Sequence, residues 1–181
     1  MTDNKKDKVI ANIGAAQEYS ELWALLLQAS YSLFELRNKE LKPAGLTTLQ
    51  AAVLLFMHII GDDATPARIS RWILRKPNTV SAILDRMEQR GLVTRSKDMS
   101  RKNWVRVNFT EKGREALYIS MQGQSVRRVL SVLSSEERQR LTAYLNIIRD
   151  NSLIELGKSP RRATKYTSWL AARRAEGRSK G

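Results

Sequence analysis

One stretch, from Thr65 to Lys112, constrains the fold more than any other part of this chain. It sets a short helical pattern, a turn, a second helical pattern and two strand-like runs one after another. Thr65-Pro66 opens the first helix. Threonine is a good N-cap, and proline at the first helical position gives up an N–H that would have had no partner within the helix. This helix is short, with Ile69 and Trp72 turned inward. Pro77 opens the second helix in the same way. There Val80, Ile83, Leu84 and Met87 recur at the spacing of one buried helical face. Asn78, Thr79, Ser81, Ala82, Asp85, Arg86 and Gln89 are left on the other faces, and Gly91 fits a C-cap. Leu92-Val93-Thr94-Arg95 and Trp104–Phe109 read as strands. In the second, Val105, Val107 and Phe109 alternate with Trp104, Arg106 and Asn108. Between them lies a polar loop, Ser96–Asn103, carrying Lys97, Arg101 and Lys102. Helix, turn, helix and hairpin, in that order, are what a major-groove reader with an accompanying wing requires.

The distribution of charge points the same way. The 181 residues carry a formal net charge of +14, but residues 1–63 hold −2 and residues 114–156 only +1. Residues 64–113 hold +8 and residues 157–181 hold +7. A basic surface confined to the proposed reading unit and the C-terminal tail is the electrostatic footprint of a polyanion partner. The absence of cysteine excludes disulfides, a thiol redox sensor and a cysteine metal site within this chain. With a single histidine and no clustered acids, neither a metal nor a cofactor is expected. The N-terminal MTDNKKDKVIANIG lacks the apolar stretch of a signal peptide. The longest apolar run, Ala51–Ile60, contains His58 and is too short to span a bilayer. A cytoplasmic protein with no membrane partner is the expectation.

The rest of the chain reads as helices around that unit. Residues 1–15 are polar and are expected to be flexible. From Ala16 to Leu41, Tyr19, Leu22, Trp23, Leu26, Leu33 and Phe34 recur at helical spacing, and Leu25, Ala29 and Leu36 widen the stripe. A helix apolar on more than one face needs more than one partner surface. Pro43 and Gly45 end it. Thr47 and Gln50 form a capping box for a helix carrying Leu49, Val53, Leu54, Phe56 and Met57, which Gly61 stops. After the hairpin, Thr110-Glu111-Lys112 begins one long helix running through Leu117, Met121, Val129, Leu130 and Leu133. Ser134 and Glu137 form a second capping box, for a helix with Leu141, Tyr144, Leu145, Ile148 and Ile154. Gly157 and Pro160 close the organised part. The expected organisation is a flexible segment 1–15, a body 16–156 with a helix-turn-helix at 65–90 and a wing at 92–109, and a basic tail 157–181. The fold class is mainly α with a small β-hairpin, a winged helix-turn-helix joined to a helical dimerisation region.

Several short motifs, taken together and in order, resemble the MarR family of winged helix-turn-helix regulators over residues 16–156. They are Leu46-Thr47…Gln50, Thr65-Pro66-Ala67…Ile69-Ser70, Asn78-Thr79-Val80-Ser81, Asp85-Arg86…Arg90-Gly91-Leu92-Val93…Arg95 and Asn108-Phe109-Thr110-Glu111-Lys112-Gly113. The resemblance implies a homodimer joined by its first and last helices that binds a pseudo-palindromic operator. It also implies repression of transcription, relieved by a small, often aromatic, ligand. The wing departs from the family pattern. Asp98 matches its earlier acid, but Arg101 stands where a later aspartate usually orients a wing arginine, followed by Lys102 and Asn103.

Residue by residue, Asn78, Thr79, Ser81 and Ala82 are the expected base readers. Recognition helices approach base edges with their first turn, and asparagine pairs with adenine while threonine and serine donate, accept or touch a thymine methyl. Arg68, Arg75, Lys76, Arg86, Arg95, Lys97, Arg101 and Lys102 are the expected phosphate and wing contacts, Asp85 needing a cationic partner such as Arg86 or Arg90 to face DNA. The bland alternatives are a solvated helix face and an ordinary charged hairpin tip. Trp23, Tyr31, Phe34, Phe56 and His58 are expected either to pack in the core or to line a pocket for a small aromatic or apolar effector. The tail is read as a basic arm adding salt-sensitive affinity, as a minor-groove segment at Ser159-Pro160-Arg161-Arg162, or as a helix docking Tyr166, Trp169 and Leu170. No Gly-x-Ser-x-Gly elbow or phosphate-cradling loop is visible, so an enzyme is not expected. The competing function is a constitutive basic DNA-binding protein with little sequence choice and no effector.

Overall fold

The computed structural model describes residues 3–97 and 105–159, with side chains from Ala16 onward. Its elements run α1 (Asp3–Leu41), α2 (Thr48–Ile60), α3 (Pro66–Trp72), α4 (Pro77–Gln89), β1 (Val93–Lys97), β2 (Val105–Phe109), α5 (Glu111–Gln122), α6 (Gln124–Leu130) and α7 (Ser135–Glu155). Short 3-10 turns at Lys42–Ala44 and Gly61–Asp63 flank α2. The expected class is met: helices throughout, with one antiparallel hairpin pairing Val93 with Phe109 and Lys97 with Val105. Wing-loop residues 98–104 and tail residues 160–181, including Arg101, Lys102 and Trp169, lie outside the described residues.

The caps read from the sequence are present. Thr47 and Gln50 exchange side-chain bonds with each other's backbone N–H, as do Ser134 and Glu137. Thr65 and Thr110 each accept from the N–H three residues on. Two boundaries differ from the sequence reading. The first helix begins at Asp3 rather than Ala16, so the backbone of the segment expected to be flexible is helical from Asp3 onward. The long helix expected after Thr110 is broken in two at Gly123, whose φ of 52° is left-handed and opens to a glycine at little cost.

The core sits under the reading unit. Leu54 and Met57 from α2, Ile69 from α3, Val80, Leu84 and Met87 from α4, and Val93 from β1 are all essentially inaccessible. Leu41 at the end of α1 and Ala116 and Leu117 of α5 complete this cluster. The close of the hairpin onto α5 is tight. The hydroxyl of Thr110 donates to the Gly91 carbonyl (2.6 Å), and its N–H donates to the Leu92 carbonyl (3.3 Å). A Cβ on Gly113 would lie 1.9 Å from that same Leu92 oxygen, so only glycine permits this approach. The N–H of Val107 donates to the Ala64 carbonyl (2.9 Å), which ties the wing to the entry of α3.

A different arrangement joins α1 to the far helices. Glu40 accepts from the hydroxyl and the N–H of buried Ser125 and from the Arg37 guanidinium at 2.5 Å. Arg37 donates onward to the Ser120 carbonyl. Burial pushes the Glu40 carboxyl up, but the bonds from Ser125 and Arg37 outweigh it and hold the pKa at about 2. No single helix among the described residues is long and apolar enough to cross a membrane.

Candidate nucleic-acid interface

The interface is built on α3, the turn after it, and α4. Ser70 is buried on α3 and organises the turn from within: its hydroxyl donates to the Arg75 carbonyl (2.7 Å), and its own carbonyl accepts from the Arg75 N–H (3.1 Å). The chain reverses through Leu74, at a left-handed φ of 54°, and this is the only such non-glycine residue among those described. Lys76 then stands at the N-cap of α4 with Pro77 behind it, and no side chain caps this end. The first N–H groups of a helix have no partner within it and carry the positive end of its dipole. On α4 these donors belong to the turn that holds Asn78 and Thr79.

With Val80, Ile83, Leu84 and Met87 buried against α2 and α3, the opposite face of α4 is fixed outward. Asn78, Thr79, Ser81 and Ala82 are all exposed on it, and Arg75 and Lys76 are exposed just ahead of it. These six lie together as the sequence led one to expect. The remaining cations are placed differently. Arg68 is half-buried and paired with Asp63 at 2.7 Å. Arg86 donates from Nε to the Ala82 carbonyl (3.1 Å) and borders a groove on the side of α1. Lys97 is exposed at the end of β1.

Arg95, read from the sequence as a phosphate contact, is turned back onto α4. Its Nη1 meets Asp85 Oδ1 at 2.6 Å, its Nη2 donates to the Ser81 carbonyl at 3.2 Å, and its Nε faces Glu88 Oε2 at 3.8 Å. Its backbone N–H donates to Glu88 Oε1 at 2.9 Å. Asp85 therefore has the cationic partner that an acid on this face needs, but the partner comes from the wing rather than from its own helix.

The five residues expected around one effector pocket do not gather in this chain. Trp23 and Tyr31 project from α1 at 65% and 68% exposure. The Phe56 ring packs tilted against Trp72, centroids 5.6 Å apart. His58 borders a small cavity of about 350 Å³ with Val107, Phe109 and Arg114. Only Phe34 faces the larger groove, about 900 Å³, between α1, the start of α2 and the far half of α4. Leu49 and Ile83 form its apolar wall, and Lys39, Lys42, Arg86 and Arg90 form a cationic rim. Sequence reasoning missed that rim because its members come from three elements and share no local pattern. No group of three or more histidine, cysteine or acidic side chains suited to a metal occurs among the described residues.

Comparison with known proteins agrees with this geometry. Residues 44–108, from the 3-10 turn before α2 through most of β2, match the MarR family. An uncharacterised HTH-type transcriptional regulator of Bacillus subtilis, YkoM, is 27% identical over 126 residues, covering 68% of this chain and 81% of the relative. Among solved structures, the organohalide-sensing RdhR transcriptional regulator in its 2,4-dichlorophenol-bound form is similar at a TM-score of 0.68 and 29% identity. That match covers 75% of this chain and 81% of the other. A variant of MarR from E. coli complexed with operator DNA shares the fold at a TM-score of 0.66 and 22% identity, over 72% of this chain and 95% of that one.

Proposed function

The chain belongs to the MarR family of winged-helix transcriptional regulators, and we propose that it is a repressor that binds a pseudo-palindromic operator as a homodimer. One observation carries this reading: α4 is anchored by a fully buried face, so that Asn78, Thr79, Ser81 and Ala82 stand outward beside a braced hairpin. In that geometry the first turn of α4 enters the major groove and these residues choose the sequence. Arg75, Lys76 and the exposed Lys97, with Arg101 and Lys102 of the wing loop, supply general affinity through phosphates. The tail, with +7 in residues 157–181, adds to that affinity without choosing sequence.

Two-fold symmetry comes from α1 and α7. Tyr19, Leu22, Trp23, Leu25 and Leu26 of α1 and Tyr144, Leu145, Ile147 and Ile148 of α7 are exposed in the single chain. A second copy covers them and sets two α4 helices about 34 Å apart, one turn of DNA. The groove beside Phe34 is the effector site. Its apolar wall of Leu49 and Ile83 suits a small aromatic or apolar ligand, and Arg86 and Arg90 place any occupant against the far end of the reading helix.

The test is selection of duplexes from a random-sequence library by the purified protein. The expected product is an inverted repeat with half-sites one turn apart. Asn78→Ala then costs about 1–3 kcal/mol on the selected duplex and little on a random one. Equal losses on the two duplexes would remove α4 as the base reader.

A further inference from the structure

Arg95 stands where a wing cation would be spent on phosphate, yet all of its described partners are protein groups of α4. Asp85 and Glu88 are the two acids of that helix, and both are engaged by this one residue of β1. The bond to the Ser81 carbonyl reaches the first half of the same helix. The Arg95 side chain is only 23% exposed, against 53% for Asp85, so the guanidinium is packed between helix and hairpin while the carboxylate remains at the surface. Val107, which pairs with Arg95 across the hairpin, is fixed on the other strand by its own N–H on the Ala64 carbonyl. Among the described residues, the middle of the hairpin is thus held from both strands, by a backbone bond to Ala64 ahead of α3 and by the Arg95 brace to α4.

We propose that Arg95 is a positioning residue for sequence choice, fixing the wing to α4 as one rigid reader and offsetting the charge of Asp85 on that helix. The inference rests on α4 being the base reader. It assigns Asp85 and Glu88 a part in selectivity although neither is placed against a base. A rigid joint lets a flanking wing contact form only when α4 is in register with its bases. A loose joint lets the wing settle on any phosphate. The brace therefore acts on the ratio between selected and random DNA and leaves the number of phosphate contacts unchanged.

Asp85→Asn separates this from a phosphate role with opposite signs. If Arg95 serves phosphate, removing the neighbouring acid frees its charge and relieves repulsion, so binding tightens on both duplexes. If Arg95 is the brace, Asp85→Asn weakens the library-selected duplex about tenfold or more and leaves a random duplex of equal length nearly unchanged. Arg95→Gln gives the same loss of preference with an unaltered salt slope, whereas loss of a phosphate contact lowers the slope by about one. Tighter binding by Asp85→Asn, or equal loss on both duplexes with a reduced slope in Arg95→Gln, overturns the proposal. Asn78→Ala run in parallel keeps the two readings apart. If Asn78→Ala spares preference while Asp85→Asn abolishes it, the brace stands and other residues of α4 make the base contacts. If Asn78→Ala abolishes preference while Asp85→Asn spares it, the reader stands and the brace falls.

Discussion

Val80, Ile83, Leu84 and Met87 of α4 all find partners inside one chain, while Leu22, Trp23, Leu25 and Leu26 of α1 and Tyr144, Leu145, Ile147 and Ile148 of α7 do not. The two regions have similar helical patterns and opposite fates. Burying a large apolar side chain contributes about 1.5–3 kcal/mol, so a row left in water is a surface awaiting cover. The reading unit is closed on itself and presents polar groups. The α1–α7 region is open and presents apolar ones. On the proposed reading, the polar face meets a polyanion and the apolar one a second copy.

The largest expected effect tests the closed half. Gly113→Ala drives a methyl into the Leu92 carbonyl, contact that backbone cannot yield cheaply. A loss of about 3 kcal/mol in denaturant unfolding is expected. An unchanged midpoint would mean that the hairpin does not close on α5 as tightly as described. Next comes the open half. Trp23→Glu should leave the reading unit folded by circular dichroism and weaken self-association by about 2 kcal/mol or more. Unfolding of the chain, with no effect on association, would show that this face belongs to the core instead.

The link between the halves is sensitive to pH. Glu40 is held at about 2, below its ordinary 4.5. A depressed carboxylate stabilises the fold above its unfolded pKa, and that contribution is lost as pH falls from about 4.5 toward 2. Glu40→Gln should cost about 2 kcal/mol at neutral pH and flatten the acid limb of stability in that window. A variant whose acid limb matches the parent would remove this cluster from the account. The smallest effect concerns the turn. Leu74 is held left-handed at a cost of about 1 kcal/mol, so Leu74→Gly should raise stability by up to about that amount, read from the denaturation midpoint. A loss would show that the Leu74 side chain contributes more through contact than the backbone spends in strain.

The sequence was most legible where structure is local. Thr47 with Gln50 and Ser134 with Glu137 announce helix starts as capping boxes, and Thr65 ahead of Pro66 as an N-cap that accepts from the Arg68 N–H; each is found. The buried face of α4 follows from spacing alone. Legibility failed where the deciding contact crosses elements. The Asp85–Arg95 pair joins a helix to a strand, so from the sequence Arg95 reads as a phosphate contact. The residues expected around an effector share a type but no local pattern, and the fold separates Phe56 and His58 from Phe34. The break at Gly123 is hidden in the sequence because Leu117, Met121, Val129 and Leu130 look like one continuing helix, and a single glycine is tolerated in many helices. The early start of α1 was hidden because its first residues are polar and give no apolar period to follow.

The claim on which the rest depends is that the open face of α1 and α7 is a self-association surface. Mass in solution at micromolar concentration measures it directly, by sedimentation equilibrium on the full chain. The account predicts a species of twice the 20.7 kDa chain mass that dissociates in Trp23→Glu. A parent protein that runs at the mass of one chain across that range would contradict it, and with it the paired reading of an inverted repeat.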